Sequence, residues 1–367
     1  MVSVKGPRSA LTDFIEQHGI KIDKQQLQLN KETTIKNIRK VQPRQKRAKK
    51  SKPFELSNSE NNQKSLQNIL VENILCNLDE YELEDKHLEM ISLYLSQYRK
   101  FNLDYFRFIV EKSKKALTIY DCSMIKDSDF IINNMNLTTL ELHQCGQLSN
   151  YRCNEILSNL KNLEILRITG GYLLTEINLP EKLKILDLSN CNRISNSIIT
   201  EINRKYKTLD ELRLSYCYKI TDCIKLKTLI TYLYLEETLI SENFYNVKNI
   251  RTLSVKNCQN INELKKNYKL IEYLNIENIT PATDIKIGPK IKHLNLQRCY
   301  RLNKWIENSS VSDTLIIDLI EKTKIEKIYV FGCFNLTSKL AEKSYECKNT
   351  ISVVGNHAET KYLIENN

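Results

Sequence analysis

Cys122, Cys145, Cys191, Cys217, Cys258, Cys299 and Cys333 have the most reactive side chains in a chain whose five histidines are scattered. A thiolate is both a nucleophile and a soft metal ligand, so catalysis, zinc binding and structural packing are all open at first. Context narrows them. Each cysteine closes the same short pattern, as in LKILDLSNC (Leu183 to Cys191), LDELRLSYC (Leu209 to Cys217) and IKHLNLQRC (Ile291 to Cys299). Three further copies carry Gly171, Thr238 and Ile279 at this place, which cannot all be ligands or nucleophiles. A position shared by these types calls for a packed, buried residue, so the seven thiols read as structural, offering weak hydrogen bonds to nearby backbone. There is no C-x-x-C pair, and Cys76, Cys153, Cys223 and Cys347 form no ligand set either. No metal, catalytic residue or cofactor is expected.

The elements that carry these cysteines form a repeat. Besides the three copies above, the chain reads LTTLELHQC (Leu137 to Cys145), LEILRITGG (Leu163 to Gly171), IRTLSVKNC (Ile250 to Cys258) and IEKIYVFGC (Ile325 to Cys333), with weaker copies from Leu117, Ile230 and Ile271. The LxxLxLxxC pattern, about ten times over, predicts an α/β leucine-rich-repeat solenoid of the cysteine-containing type. Each L-x-L is a short strand with one face inward, and one unit cannot bury that face alone. Repeats of 26 residues have room for a helix, and Ser149, Ser195 and Ser312 each stand before helical apolar spacing as N-caps. Repeats of 20 or 21 residues must return as turns or short extended pieces.

The strand residues facing away from the core are expected to line a concave face. They include Glu141 and His143, Arg167 and Thr169, Asp187 and Ser189, Arg213 and Ser215, Tyr234 and Glu236, Ser254 and Lys256, Asn275 and Glu277, Asn295 and Gln297, and Tyr329 and Phe331. Three basic residues against four acidic ones make no phosphate-binding stripe, so this face is expected to recognise protein, with DNA contact left to other parts or to a partner.

Net charge is +11, but Lys36 to Lys52 holds nine basic residues and no acid, leaving 46 basic against 44 acidic elsewhere, or +2. Within that segment Lys46, Arg47, Lys49 and Lys50 form a cluster suited to nuclear import or phosphate contact, so a nuclear protein is expected. There is no apolar run long enough to cross a membrane and no signal-peptide pattern at the start, so no membrane association is expected. The expected organisation is a docking motif at 1–20, a disordered basic linker at 21–63, a helical cap at 64–112, the solenoid at 113–355 and a tail at 356–367. In the cap, Leu66, Ile69, Leu70, Ile74, Leu75 and Leu78 have helical spacing, and DKHLEMISLYLSQYRK and NLDYFRFIVEK supply two more helices.

Several stretches together, VKGPRSALTDFIEQHGI (Val4 to Ile20), SLQNILVENI (Ser65 to Ile74), LTIYDCSMI, LELHQCGQLS, IYVFGCFNLT and ISVVGN, resemble the yeast-type Rad-seven family in collinear order. Its members are leucine-rich-repeat subunits of the complex that recognises ultraviolet lesions in global-genome nucleotide excision repair. The resemblance implies a non-catalytic recognition subunit that works with a Snf2-type RING-finger ATPase of the Rad-sixteen type, meets damaged DNA mainly through the complex, and joins elongin C and a cullin as a ubiquitin-ligase component. It also implies an elongin-C box at Ser65, Leu66, Leu70 and Ile74, with Leu70 in place of the family's cysteine; the same spacing equally suits a core-facing helix. This chain lacks the four-cysteine zinc element that some members carry before the repeats, so no function of that element is inherited.

The N-terminal motif has its own logic. Ser9 can cap a helix whose Leu11, Phe14 and Ile15 form one apolar face, with Val4, Lys5, Gly6 and Pro7 extended before it. So short a helix is marginal alone in water, so its face is expected to dock in a partner's groove. No phosphate loop or triad spacing is present, so the protein is not expected to be an enzyme. The alternative is an F-box-type leucine-rich-repeat substrate receptor, in which 64–112 would hold a Skp-type adaptor.

Overall fold

A computed structural model of the chain describes residues 71–72, 74–75, 83–221, 226–241, 249–261, 263–264, 269–279, 284–285, 288–299, 316–317, 320–321, 323, 325–330, 333, 352–357 and 360–363. Residues 1–62 and 63–367 are separate units, and every described residue belongs to the second. The docking motif, the basic segment and Ser312 therefore lie outside the described residues.

After helical residues at 71–72 and 74–75 come helices α1 (Asp85–Gln97) and α2 (Leu103–Lys112). Strands β1 (Ala116–Ile119), β2 (Thr139–Leu142), β3 (Ile165–Ile168), β4 (Ile185–Asp187), β5 (Thr208–Arg213), β6 (Leu229–Tyr234) and β7 (Thr252–Ser254) follow, with α3 (Asn150–Asn159) after β2 and α4 (Ser197–Lys205) after β4. Next come β8 (Glu263–Leu264), β9 (Tyr273–Asn275), β10 (Asp284–Ile285), β11 (His293–Asn295), β12 (Lys327–Tyr329), β13 (Ser352–His357) and β14 (Thr360–Leu363).

One strand per repeat joins a single 12-stranded sheet in the order β1 to β7, β9, β11, β12, β13, β14. Every pairing from β1 to β13 is parallel, and the register holds equivalent repeat positions opposite one another: Leu140 faces Leu166, Leu166 faces Leu186, and Leu186 faces Leu212. Inward leucines of successive repeats thus stack, and Leu166, Leu186, Leu212, Leu233 and Leu294 are fully buried. Burial of an aliphatic side chain contributes about 1.5–3 kcal/mol, and here each is covered by the repeats on either side. Strand β14 returns antiparallel on β13, so the sheet runs past residue 355 into the segment expected to be a tail.

The opposite side follows repeat length. The 26-residue spacings carry α3 and α4, whereas between β7 and β11 the chain returns through β8 and β10, which pair in parallel as a second small sheet. Ser149 caps α3, its Oγ accepting the Arg152 N–H at 3.2 Å. Ser195 does not cap α4. That helix begins after Asn196, whose amide is committed to the next repeat, donating to Thr221 Oγ1 at 2.8 Å and accepting the Thr221 N–H at 3.0 Å. An isolated backbone bridge to Lys219 holds Ser195 itself.

Just before the ladder positions from Cys145 to Cys299 the chain takes a left-handed turn. Gln144, Asn190, Tyr216, Glu237, Asn257, Asn278 and Arg298 have φ between 54° and 63°, and Gly170 has 67°. The geometry closes the strand with a tight turn, as in Cys191 N–H to Leu188 C=O at 3.2 Å, while the left-handed residue extends the inter-repeat ladder, as in Asn190 N–H to Ser215 C=O at 2.9 Å. Asparagine and glycine tolerate this region best, which accounts for four of these eight residues.

Candidate protein-recognition face

The ladder cysteines are not a reactive centre. All seven are free and buried, and thiol after thiol donates to a carbonyl of the preceding repeat: Cys191 to Ile168 at 3.3 Å, Cys217 to Leu188 at 3.1 Å, Cys258 to Leu235 at 2.9 Å, Cys299 to Ile276 at 3.0 Å and Cys333 to Leu296 at 3.2 Å. Cys122 and Cys145 occupy the same place in the first repeats. Burial pushes four of the thiols up, Cys217 and Cys299 to about 12 and Cys258 and Cys333 to about 11, so these four are not thiolates at neutral pH. Among the described residues no group of three His, Cys, Asp or Glu could hold a metal. Thr238 fits the ladder with a bond inside its own repeat, its Oγ1 donating to Leu235 C=O at 2.7 Å. At Gly171 the space is taken: a Cβ there would lie 2.6 Å from Leu174 Cδ1.

The open face of the sheet is where side chains from all repeats converge. In its N-terminal half one network crosses from helix to sheet. Glu89 of α1 accepts from the Tyr120 hydroxyl at 2.8 Å, and the Tyr120 ring stacks on His143 with centroids 5.4 Å apart. His143 Nδ1 lies 2.9 Å from Thr169 Oγ1 and its Nε2 3.9 Å from Glu141. Arg167 joins Glu141 at 2.7 Å to Glu211 at 3.9 Å; Glu211 also holds Arg213, whose guanidinium sits 4.1 Å from the Tyr234 ring centre. Burial alone would raise the Glu141 pKa, but the adjacent His143 and the Arg167 charge outweigh it and hold the carboxyl below its ordinary value. Glu141, Arg167, Glu211 and Arg213 are thus paired with one another inside the protein.

The C-terminal half differs. Its floor is small and polar, with Ser254, Asn275 and Asn295 buried between larger neighbours. On one side stand Tyr232, Tyr273 and His293, the last two with ring centres 6.1 Å apart; on the other stand Glu236, Lys256 and Glu277. Ser254 donates to Glu236 at 2.5 Å, Asn295 to Glu277 at 3.3 Å, and Lys256 pairs with Glu277 at 3.2 Å. Tyr232 is 41% exposed, and Lys327 lies 5.0 Å from the Tyr329 ring centre. Burial, with Glu236 next, pushes the Tyr273 hydroxyl up to about 12, so it stays a neutral donor. Tyrosines over a polar floor are the composition of a protein contact surface, amphipathic and low in ordering cost.

The sequence identified two outward positions per strand and missed a third. Glu211, Tyr232, Tyr273 and His293 lie two residues before the first of those positions, in the same alternation, so the period of two contained the signal. Phe331 lies outside the described residues.

Of the expected elongin-C box, Ser65, Leu66 and Leu70 lie outside the described residues. Ile74 is helical, 7% exposed and part of the hydrophobic core with Val71, so at this position helical spacing serves the protein's own packing. Val4, Lys5, Gly6, Pro7, Leu11, Phe14, Ile15, Lys46, Arg47, Lys49 and Lys50 are all outside the described residues. No helix among the described residues is long and apolar enough to cross a membrane.

No protein-family model and no curated protein matches the chain. Among solved structures it is similar to a crystal structure of the Rad7 and Elc1 complex in yeast, at 19% identity and a TM-score of 0.42, covering 81% of this chain and 100% of that one.

Proposed function

We propose that the protein is a non-catalytic recognition subunit in nuclear nucleotide excision repair of ultraviolet-type damage. The observation that carries a recognition role is the open face: Glu141, Arg167, Glu211 and Arg213 of its N-terminal half pair with one another, and its C-terminal half offers tyrosines and a histidine over a polar floor. Such a face suits a protein ligand, because aromatic anchors supply binding energy where charges are already satisfied. The collinear sequence resemblance to the Rad-seven family supports the choice of partners, a Snf2-type RING-finger ATPase and, through a ubiquitin ligase, elongin C with a cullin.

Affinity purification of the full chain from nuclear extract with mass spectrometry tests this reading. Recovery of a Snf2-type ATPase supports it. Recovery of a Skp-type adaptor without that ATPase would replace it with the F-box-type receptor.

A further inference from the structure

The open face has no basic stripe, but one edge of the sheet does. Because the strands are parallel and in register, the turns that feed them line up along one edge. Lys161, Lys182, Lys207, Lys227, Lys269 and Lys290 stand in the segments entering β3, β4, β5, β6, β9 and β11. All six are exposed. The row next to them alternates in sign and neutralises itself: Lys184 pairs with Glu164 at 2.8 Å, and Glu272 with Lys292 at 2.9 Å and with Arg251 at 3.7 Å. The outer six form no ion pair with any described residue, and Lys182 has only a neutral partner, Asn162 Oδ1 at 2.8 Å; the exposed Glu181 beside it, in register between Lys161 and Lys207, is an acid within the row. The sequence outside 36–52 carries only +2, so this line is a local concentration of charge.

We infer that this strand-entry edge binds the phosphate backbone of duplex DNA. Six strand steps at about 4.8 Å separate the β3 and β11 turns, so the lysines span about 29 Å. A duplex carries one charge per about 1.7 Å of axis, and flexible point charges at six of these seven strand entries can follow such a backbone. Protein ligands take their energy from aromatic or arginine anchors in desolvated pockets, and the six lysines offer none. Contact with backbone alone gives no sequence preference, which suits a subunit that must meet lesions in any sequence. The inference deepens the repair reading but rests on charge geometry.

The test uses the full chain with Lys46, Arg47, Lys49 and Lys50 changed to alanine, so that the basic segment does not mask the edge. Fluorescence anisotropy with an undamaged 25-base-pair duplex is followed from about 50 to 200 mM salt, the range over which phosphate binding weakens most. Changing the six lysines to glutamine should weaken binding at least tenfold and reduce the slope of log K against log salt by about 0.9 for each phosphate no longer neutralised. Six arginines should keep both, which separates charge from misfolding. Unchanged affinity and slope in the glutamine variant would overturn the inference, as would weakened binding in both variants. If DNA binding is unchanged but an acidic partner protein no longer binds, the edge binds protein instead. Recovery of the Snf2-type ATPase by the glutamine variant reports separately on the repair reading.

Discussion

The Asp85 carboxylate of α1 accepts the backbone N–H of Ala116, the first residue of the sheet's edge strand, at 2.9 Å. It also takes the Lys114 and Lys115 N–H groups at 2.7 and 2.8 Å. Two helical turns on, the buried Ser92 Oγ accepts the Tyr120 N–H at 3.0 Å, past the other end of β1. Exposed edge N–H groups invite pairing with another chain, and α1 satisfies them at both ends of the strand. Asp85→Ala should therefore cost about 1–3 kcal/mol in urea denaturation, and Ser92→Ala, which orphans a partly buried donor, a similar amount.

The same interaction is pH-dependent. Burial would raise the Asp85 pKa, but the Lys114, Lys115 and Ala116 N–H groups outweigh it and leave it below the ordinary value. A lowered folded-state pKa stabilises the fold above the unfolded value, near pH 4, and the benefit disappears as pH falls through the folded one. Melting temperatures of wild type and Asp85→Asn should differ at pH 7 and converge below about pH 4. Glu141, also lowered, should behave alike when compared with Glu141→Gln.

The buried thiols should be inert. Labelling with a thiol reagent at pH 8 should leave Cys217, Cys258 and Cys299 unmodified until denaturant is added, because burial keeps them protonated. Cys191→Ala should cost about 1–2 kcal/mol, and metal analysis should find no stoichiometric zinc before or after the change.

Much of this was legible in the sequence. The inward leucines and the recurring cysteine required stacked strands, and repeat length separated the helical returns at α3 and α4 from the extended ones at β8 and β10. Other features were hidden because they depend on packing between repeats. Asn196 displaced Ser195 at the start of α4 by bonding to Thr221, and Ile74 proved to be core because of what packs on it. Asp85 and Ser92 look like ordinary helix residues until β1 is beside them. The lysines before each strand were readable, but only a common register places them on one edge.

Backbone geometry gives a further expectation. Gly170 has φ 67°, and a Cβ there would lie 3.2 Å from the Gln144 Cα. Gly170→Ala should destabilise by about 1–3 kcal/mol, whereas Arg298→Gly, at an exposed left-handed residue, should be neutral or stabilise by up to about 1 kcal/mol. Thermal denaturation of the two variants checks the contrast.

Recognition through the open face is tested most directly by changing its anchors and weighing the partners. Tyr232→Ala with Tyr273→Ala, in the full chain purified from nuclear extract, should reduce recovery of the Snf2-type ATPase or the ubiquitin-ligase subunits at least tenfold, the usual effect of removing aromatic anchors. The double variant's melting temperature should stay within about 4 °C of wild type, because the strand leucines, not the tyrosines, hold the sheet. Undiminished recovery of every partner by a stably folded double variant would contradict the account.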